Sequence, residues 1–120
     1  MSAYTLMFNQ VSAPRVDVAE TKQEYQLTAE LPGVPQDKVQ IQVIDGVLEL
    51  SVATEGSAPD AEARWLLRER GTSGYQRSFR LPRDVDQAGI AAKLDNGLLV
   101  VTLPKLPEAQ PRKVVVETAA

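Results

Sequence analysis

The apolar residues of this chain recur with a period of two, and short turn dipeptides interrupt the pattern. Side chains of a β-strand alternate between its two faces, so a period of two predicts strands. Residues 92–105, AKLDNGLLVVTLPK, form a run in which both faces are largely apolar. Asn96-Gly97 in this run and Asp45-Gly46 each separate two alternating stretches, which is a strong hairpin signal.

The same alternation extends over most of the chain from residue 14 onward. Four residues of one run share a face: Tyr25, Leu27, Ala29 and Leu31. Pro32-Gly33 then suits the two central positions of a type II turn. A final run, KVVVE at residues 113–117, predicts one last short strand. Seven to nine short strands with turn signals about every ten residues predict an all-β antiparallel sandwich.

The composition excludes several kinds of chemistry. The 120 residues contain no cysteine and no histidine, which excludes disulfides, thiolate nucleophiles, Ser-His-Asp triads and the usual zinc sites. A candidate phosphate loop, RGTSGYQ at residues 70–76, lacks the Lys-Ser/Thr pair of a P-loop. We therefore expect no cofactor, no bound metal, no nucleotide-driven mechanism and no enzymatic activity.

The chain also lacks the sequence signals of membrane insertion and secretion. Its apolar stretches are far shorter than the roughly 18 residues that a membrane span needs. The first residues lack the basic region and long apolar core of a secretion signal. With 43% hydrophobic and 24% charged residues, the composition is ordinary for one globular domain. We expect a cytoplasmic protein without a membrane span.

Charge is distributed unevenly along the chain. Residues 1–61 carry nine acidic and three basic side chains, whereas residues 62–83 carry two acidic side chains and six arginines. The arginine-rich segment therefore complements the acidic half, within one subunit or between two. The alternative is nucleic-acid binding, because Trp65, Tyr75 and Phe79 lie among the arginines. A net charge of −3 would repel a phosphate backbone, so we expect no nucleic-acid partner.

Five sequence blocks occur in a distinctive order: PRVDVAE, AELPGV, GVLELS, RSFRLP and AKLDNGLLVVTLPK. The first resembles a Pro-x-x-Asp-x-x-Glu strand, and the last resembles an Ala, Asn-Gly-Leu-Leu, Pro-Lys signature. Together, over residues 14–116, they resemble the α-crystallin domain of the small heat-shock proteins, in particular bacterial members with a short N-terminal arm. The resemblance implies an immunoglobulin-like sandwich. It also implies an ATP-independent holdase chaperone, which binds unfolding client proteins and prevents their aggregation.

The resemblance divides the chain into an N-terminal arm over residues 1–13, a sandwich domain over 14–104 and a C-terminal extension over 105–120. In the family the arm contributes to client binding. The apolar arm residues here are Tyr4, Leu6, Met7 and Phe8. Methionine is a flexible contact that suits promiscuous binding. Because the arm is short, we expect a homodimer or a small oligomer. The alternative for these residues is an artificial boundary of the chain or a disordered tail.

The C-terminal extension carries a Val-x-Val motif at Val114 and Val116. In the family such a motif docks into a groove between two edge strands of a neighbouring subunit, and residues 38–44 and 89–94 match those strands. The implied groove residues are Val39, Ile41, Val43, Ile90, Ala92 and Leu94. Two docked valines would contribute roughly 3–5 kcal/mol before the cost of ordering the tether is subtracted. The alternative is that residues 114–116 form a last strand of the chain's own sheet.

Arg77 is implied at the dimer interface of the family. It shares a predicted strand face with Tyr75, Phe79 and Leu81. An arginine on an apolar face needs hydrogen-bonded partners, and we expect carboxylates or backbone carbonyls at a subunit contact. The alternative is an arginine at a sheet margin whose charged end reaches water.

The connection over residues 54–74 is also implied at the dimer interface. In bacterial and plant members it carries an extra strand that pairs with the partner subunit. The corresponding residues here are Trp65, Leu66, Leu67 and Arg68. Apolar side chains in a polar connection require burial somewhere, and strand exchange across a two-fold axis would supply it. The alternative is that RWLLRER, residues 64–70, forms a short strand or helical turn packed on its own domain.

Other functions are weighed against the holdase. One is an assembly or membrane-associated scaffold that uses the same domain, and another is a co-chaperone-like sandwich, as in the CS-domain family, that binds one defined protein partner. The second leaves the Val-x-Val motif and the arginine-rich connection unexplained. An enzyme would depend on carboxylates such as Asp84 and Asp86, two residues apart in a predicted loop, where solvated acids are the ordinary case.

Overall fold

The structure is a computed structural model of the chain, and it describes residues 13–53, 60–70 and 74–119. The strands within these residues are β1 (Val16–Glu20), β2 (Glu24–Glu30), β3 (Val39–Ile44), β4 (Val47–Ala53), β5 (Gly74–Arg80), β6 (Ala91–Asp95) and β7 (Leu98–Pro104). The helices there are short 3₁₀ turns at Gln36–Lys38, Gln87–Gly89 and Pro107–Ala109. The prediction of an all-β chain with seven to nine strands is confirmed.

The strands form two antiparallel sheets that pack against each other. The larger sheet has the order β1-β2-β7-β6, and the smaller sheet has the order β3-β4-β5. Their inner faces supply one apolar core, whose buried residues are Leu27, Ala29, Leu31, Val34, Leu48, Leu50, Val52, Val85, Leu99, Val101 and Leu103. Each fully buried leucine or valine stabilises the fold by about 1.5–3 kcal/mol through removal of apolar surface from water. The architecture is therefore the predicted sandwich.

Both predicted hairpin turns form. Asp45 and Gly46 have φ values of 52° and 74° between β3 and β4, and Asn96 and Gly97 have 50° and 77° between β6 and β7. Two consecutive positive φ values are the type I′ geometry, whose twist matches that of the flanking strands. The turn at Pro32-Gly33 is also confirmed: Gly33 has φ 73°, and the Val34 N–H donates to the Leu31 carbonyl at 3.3 Å.

β7 is one of the two inner strands of the larger sheet. It pairs with β2 on one side and β6 on the other. Leu99, Val101 and Leu103 point into the core and are 2%, 1% and 4% exposed. Leu98 and Val100 lie on the outer face, where Leu98 is exposed and Val100 is half-buried. One apolar face of this run is therefore core, and the other belongs to the outer surface of the sheet.

Candidate protein-interaction surfaces

Two open strand edges lie on the same side of the sandwich. β3 ends the smaller sheet and β6 ends the larger sheet, and each pairs with a single neighbour among the described strands. On the other side, Nη1 of Arg77 on β5 donates a hydrogen bond to the carbonyl oxygen of Pro14, 3.0 Å away and just before β1. This bond places the β5 edge beside the β1 edge. Because the sheets stack face to face, the β3 and β6 edges lie together on the opposite side.

The six implied groove residues are found on the inner faces of these two edges. Five are half-buried and pack against the core: Val39, Ile41, Val43, Ile90 and Leu94. Ala92 is paired in register with Val101, so it also points inward, yet it is exposed. Because Ala92 is small and exposed, it offers a contact surface for an apolar side chain of an added strand, and the open edges offer backbone hydrogen bonds. Docking at this groove stays a prediction.

Arg77 lies on the inner face of β5, as predicted. It is half-buried, in register with Leu50, and its guanidinium carbon lies 5.1 Å from the ring centroid of Phe79. Its hydrogen bond reaches a backbone carbonyl, that of Pro14, which belongs to its own chain. The bond satisfies part of the polar requirement that an apolar face imposes on the guanidinium. A role of Arg77 at a subunit contact stays a prediction.

Residues 60–70 expose a group of apolar side chains. Trp65, Leu66 and Leu67 are 47%, 85% and 74% exposed. The guanidinium carbon of Arg68 lies 4.5 Å from the centroid of the Trp65 ring, a cation–π contact. Residues 64–70 form neither the short strand nor the helical turn considered from sequence, and all of them are exposed. Their role in a dimer is untested.

The Val-x-Val segment is exposed and has no regular structure. Val114, Val115 and Val116 are 76%, 81% and 91% exposed, and residues 111–119 carry neither strand nor helix. The prediction of a last strand at residues 113–117 is therefore wrong. Alternating valines favour an extended backbone, but a strand also needs a hydrogen-bonded neighbour, and none of the described strands pairs with this segment.

Residues 105–110, called the fastened segment below, are bound to the end of the sandwich. Lys105 forms an isolated bridge with Val85, and its N–H donates to the Gln23 carbonyl at 2.8 Å. The N–H of Leu106 donates to the Asp84 carbonyl at 2.7 Å. The predicted domain boundary between residues 104 and 105 stays a prediction, but hydrogen bonding to the domain continues beyond it.

Four side chains that the sequence analysis did not connect meet beside the fastened segment. The Lys105 ammonium pairs with Glu20 at 2.7 Å and lies 5.1 Å from the Tyr25 ring centroid. The Tyr25 hydroxyl donates to both carboxylate oxygens of Asp84, at 2.9 and 3.0 Å. Burial, together with this hydrogen bond and the negative charge of Asp84, raises the pKa of Tyr25 to about 12. These partners are 59 and 85 residues apart along the chain, so no local pattern reveals them.

The two loop carboxylates have structural partners. Asp84 accepts the Tyr25 hydroxyl, and Asp86 accepts the N–H of Ala88 at 3.2 Å, which caps the 3₁₀ helix Gln87–Gly89. Asp84 is therefore not the solvated loop acid that the sequence suggested. Its partner is a tyrosine on β2 that becomes a neighbour only after the sheet forms.

The predicted client-binding residues Tyr4, Leu6, Met7 and Phe8 lie outside the described residues. Within the described part of the chain, no helix has the length and apolar character required to cross a membrane.

The fold is an antiparallel all-β sandwich with edge strands and exposed apolar segments, which are features that suit protein interaction. Residues 17–117 match the Hsp20/alpha crystallin family, which is most of the chain. The chain belongs to this family, and the resemblance inferred from its sequence blocks is confirmed. Small heat-shock proteins are chaperones rather than enzymes.

Relatives and solved structures give the same assignment. Small heat shock protein C2 of Rickettsia felis is 33% identical over 104 residues, covering 87% of this chain and 68% of the relative. Spore protein SP21 of Stigmatella aurantiaca is 34% identical over 106 residues, covering 88% and 63%. The chain thus spans about two thirds of the length of the curated relatives it matches.

Two solved structures share the fold closely. A small heat-shock protein from Xylella fastidiosa has a TM-score of 0.74 at 28% identity, covering 91% of this chain and all of that chain. Heat shock protein 16.0 from Schizosaccharomyces pombe has a TM-score of 0.71 at 31% identity, covering 88% and 98%. The α-crystallin sandwich predicted from the sequence is therefore confirmed.

Proposed function

We propose that this chain is an ATP-independent holdase that binds unfolding client proteins in the cytoplasm and prevents their aggregation. The observation that carries the proposal is that clustered apolar residues are exposed, although the domain has a buried apolar core to which they do not belong. Trp65, Leu66 and Leu67 form one such cluster, and residues 114–116 form another. Exposed apolar clusters of this kind mark protein-interaction sites. The apolar arm residues Tyr4, Leu6, Met7 and Phe8 would add client contacts.

Self-association accounts for part of this exposed surface. The exposed loop cluster and Arg77 would form a homodimer interface with a second copy. Val114 and Val116 would dock at the groove between the β3 and β6 edges, where Ala92 offers an exposed contact surface. On this proposal residues 1–13 are the client-binding arm, 14–104 the sandwich and 105–120 the docking extension.

The holdase activity is tested with a heat-labile client enzyme and no ATP. Light scattering is followed during heating, with and without this protein at stoichiometric ratios. Suppressed scattering supports the proposal, and unchanged scattering rejects it. A Leu6→Ser/Phe8→Ser variant probes the arm, and Ser2→Ala/Thr5→Ala serves as its matched control. Loss of suppression in the first variant alone assigns client contact to the apolar arm residues.

Docking of the Val-x-Val motif is tested separately by mass. Val114→Asp/Val116→Asp places two charges on the side of the motif that faces the groove, so we expect the assembly to fall to a smaller species in multi-angle light scattering. Val115→Asp is the matched control, because Val115 points the other way in an extended segment. Equal masses for the two variants would contradict docking while leaving the holdase proposal to the aggregation assay.

A further inference from the structure

The edge strand β6 is held differently at its two ends. After β6, the type I′ turn Asn96-Gly97 leads directly into β7, and the Gly97 carbonyl accepts the N–H of Leu31 at 2.7 Å. Before β6 the chain arrives from the smaller sheet, and β6 pairs with β7 alone among the described strands. The contacts of the residues before β6 therefore determine how easily this strand opens.

The residues before β6, numbers 84–89, are called the entry loop, and they contact the end of β7 and the fastened segment. The Asp86 N–H donates to the Pro104 carbonyl at 2.8 Å. The Leu106 N–H donates to the Asp84 carbonyl at 2.7 Å. The entry loop and the fastened segment therefore hold each other in place.

Asp86 also fixes the start of β6. Its carboxylate accepts the Ala88 N–H at 3.2 Å, which caps the 3₁₀ turn Gln87–Gly89 directly before the strand. A Cβ added to Gly89 would lie 2.9 Å from Cγ of Pro104, so the turn packs closely on this proline. A displacement of Asp86 or Pro104 would therefore move the start of β6.

A side-chain hydrogen bond ties the entry loop to the larger sheet. Tyr25 on β2 is in register with Leu103 of β7, and its hydroxyl donates to both carboxylate oxygens of Asp84, at 2.9 and 3.0 Å. The Lys105 ammonium lies 5.1 Å from the centroid of the same tyrosine ring. Tyr25 therefore contacts the entry loop through its hydroxyl and the fastened segment through its ring.

Opening of these segments would remove little from the apolar core. No residue of β6 is buried, and Leu94 is its one half-buried side chain. In the entry loop Val85 belongs to the core, at 5% exposure. Segments with few buried apolar contacts open at a lower free energy than the whole domain. Local opening of β6 together with the entry loop is therefore less costly than global unfolding.

We propose that the entry loop, β6 and the fastened segment open together as one unit, and that the Tyr25–Asp84 hydrogen bond restrains the opening. The open unit exposes Val85 and Ile90, which contact the core in the closed state. Such a surface suits an apolar segment of an unfolding client, a part of the inference that rests on the proposed holdase function. Weakening one side-chain hydrogen bond then increases the exposed apolar surface.

Amide hydrogen exchange tests the coupling, read by mass spectrometry at a concentration where the chain is monomeric. Peptides that contain β6 report opening of the unit, and peptides that contain β4 report global unfolding. Tyr25→Phe removes the hydroxyl and keeps the ring, so we expect β6 and β4 to exchange faster by a similar factor, on the order of fivefold. The factors agree because the hydrogen bond is lost both in the open unit and in the unfolded chain. Asp84→Ala removes the same bond from the other side and should give the same pattern.

Val52→Ala is the matched control. Val52 is buried in the smaller sheet and pairs with Tyr75 at the start of β5, whereas the entry loop follows the other end of β5. The substitution lowers the global stability, so β4 should exchange faster, while the exchange of β6 should not change. Circular dichroism checks that each variant is folded.

Three exchange patterns would overturn the coupling. In the first, β6 of the parent exchanges as slowly as β4, because β6 then opens only with the whole domain. In the second, Tyr25→Phe accelerates exchange in β4 and leaves β6 unchanged. In the third, Val52→Ala accelerates exchange in β4 and β6 alike.

The client surface is tested with the same variants in the ATP-free light-scattering assay, at a temperature below the melting temperature of each. Tyr25→Phe should suppress client aggregation at a lower molar ratio than the parent, and Val52→Ala should match the parent. If Tyr25→Phe matches the parent, or exceeds it no more than Val52→Ala does, the client surface is overturned and hydrogen exchange still decides the coupled opening. Absence of suppression by all of these chains, the parent included, rejects the holdase proposal and with it the client surface.

Discussion

Residues 98–103 and residues 114–116 are both runs of large aliphatic side chains, and they have opposite environments. In β7, Leu99 and Val101 are 2% and 1% exposed, whereas Val114 and Val116 are 76% and 91% exposed. Both runs favour an extended backbone. They differ in neighbours, because β7 has β2 and β6 on its two sides and residues 114–116 pair with none of the described strands. A run of aliphatic residues therefore predicts an extended backbone. Whether the run becomes core or surface depends on whether neighbouring strands pair with it.

The largest expected effect comes from weakening the buried run. Leu99→Ala should lower the free energy of unfolding by about 2–5 kcal/mol, because it removes buried apolar contacts and leaves a cavity. Urea denaturation followed by circular dichroism measures this loss. Val116→Ala is the matched control and should change the stability by less than about 0.5 kcal/mol. If both variants lost a similar free energy of unfolding, the two runs would be equally buried, and the comparison would be contradicted.

The next effect concerns the charged side chain on the buried face. Arg77→Ala should lower the free energy of unfolding by about 1–3 kcal/mol, because the hydrogen bond to the Pro14 carbonyl is lost. Arg80→Ala is the matched control, since Arg80 is exposed on the same strand. Thermal unfolding and light-scattering mass are measured together. An unchanged melting temperature with an unchanged mass would remove both the structural and the interface role of Arg77.

Stability is expected to depend on pH through Tyr25, which lies beside the segment that joins the buried run to the exposed run. The pKa of Tyr25 is raised from 10.0 to about 12 in the folded chain, so its contribution to stability is complete below pH 10 and is lost as the pH rises toward 12. Tyr25→Phe should lower stability at neutral pH and show a shallower decline between pH 10 and 12. Denaturant unfolding across this range measures the difference. Parallel pH profiles for parent and variant would contradict the Tyr25–Asp84 hydrogen bond.

The smallest effect on the domain itself is expected from the exposed run. Val114→Asp/Val116→Asp should leave the free energy of unfolding within about 0.5 kcal/mol of the parent at concentrations where the chain is monomeric, because neither side chain is part of the core. Denaturation at high dilution provides the measurement. A loss above 1 kcal/mol under those conditions would place the valines against their own domain and contradict the comparison.

Much of the fold could be predicted because its signals are local. The type I′ turns at Asp45-Gly46 and Asn96-Gly97 follow from residues that tolerate positive φ, and the buried face of β7 follows from its period of two. The candidate groove was predicted only through family resemblance. Ala92 is exposed because β6 is an edge strand that pairs only with β7, and this depends on the strand order of the sheet.

Other parts of the candidate site lay beyond sequence reasoning for a physical reason. The Tyr25–Asp84 hydrogen bond and the Glu20–Lys105 ion pair join residues far apart in the chain, and their contact depends on sheet register and on the path after β7. The error at residues 113–117 has a related cause, because strand propensity is local but strand formation needs a partner.

The sequence by itself determined the strands, the turns, the apolar core and the absence of cysteine and histidine chemistry, because these depend on side-chain type and on short-range backbone geometry. The tertiary structure alone decided which strands have open edges, where Arg77 finds its acceptor and where the C-terminal tail leaves the domain. These features depend on contacts between segments distant in the chain, and such contacts exist only after the two sheets have packed.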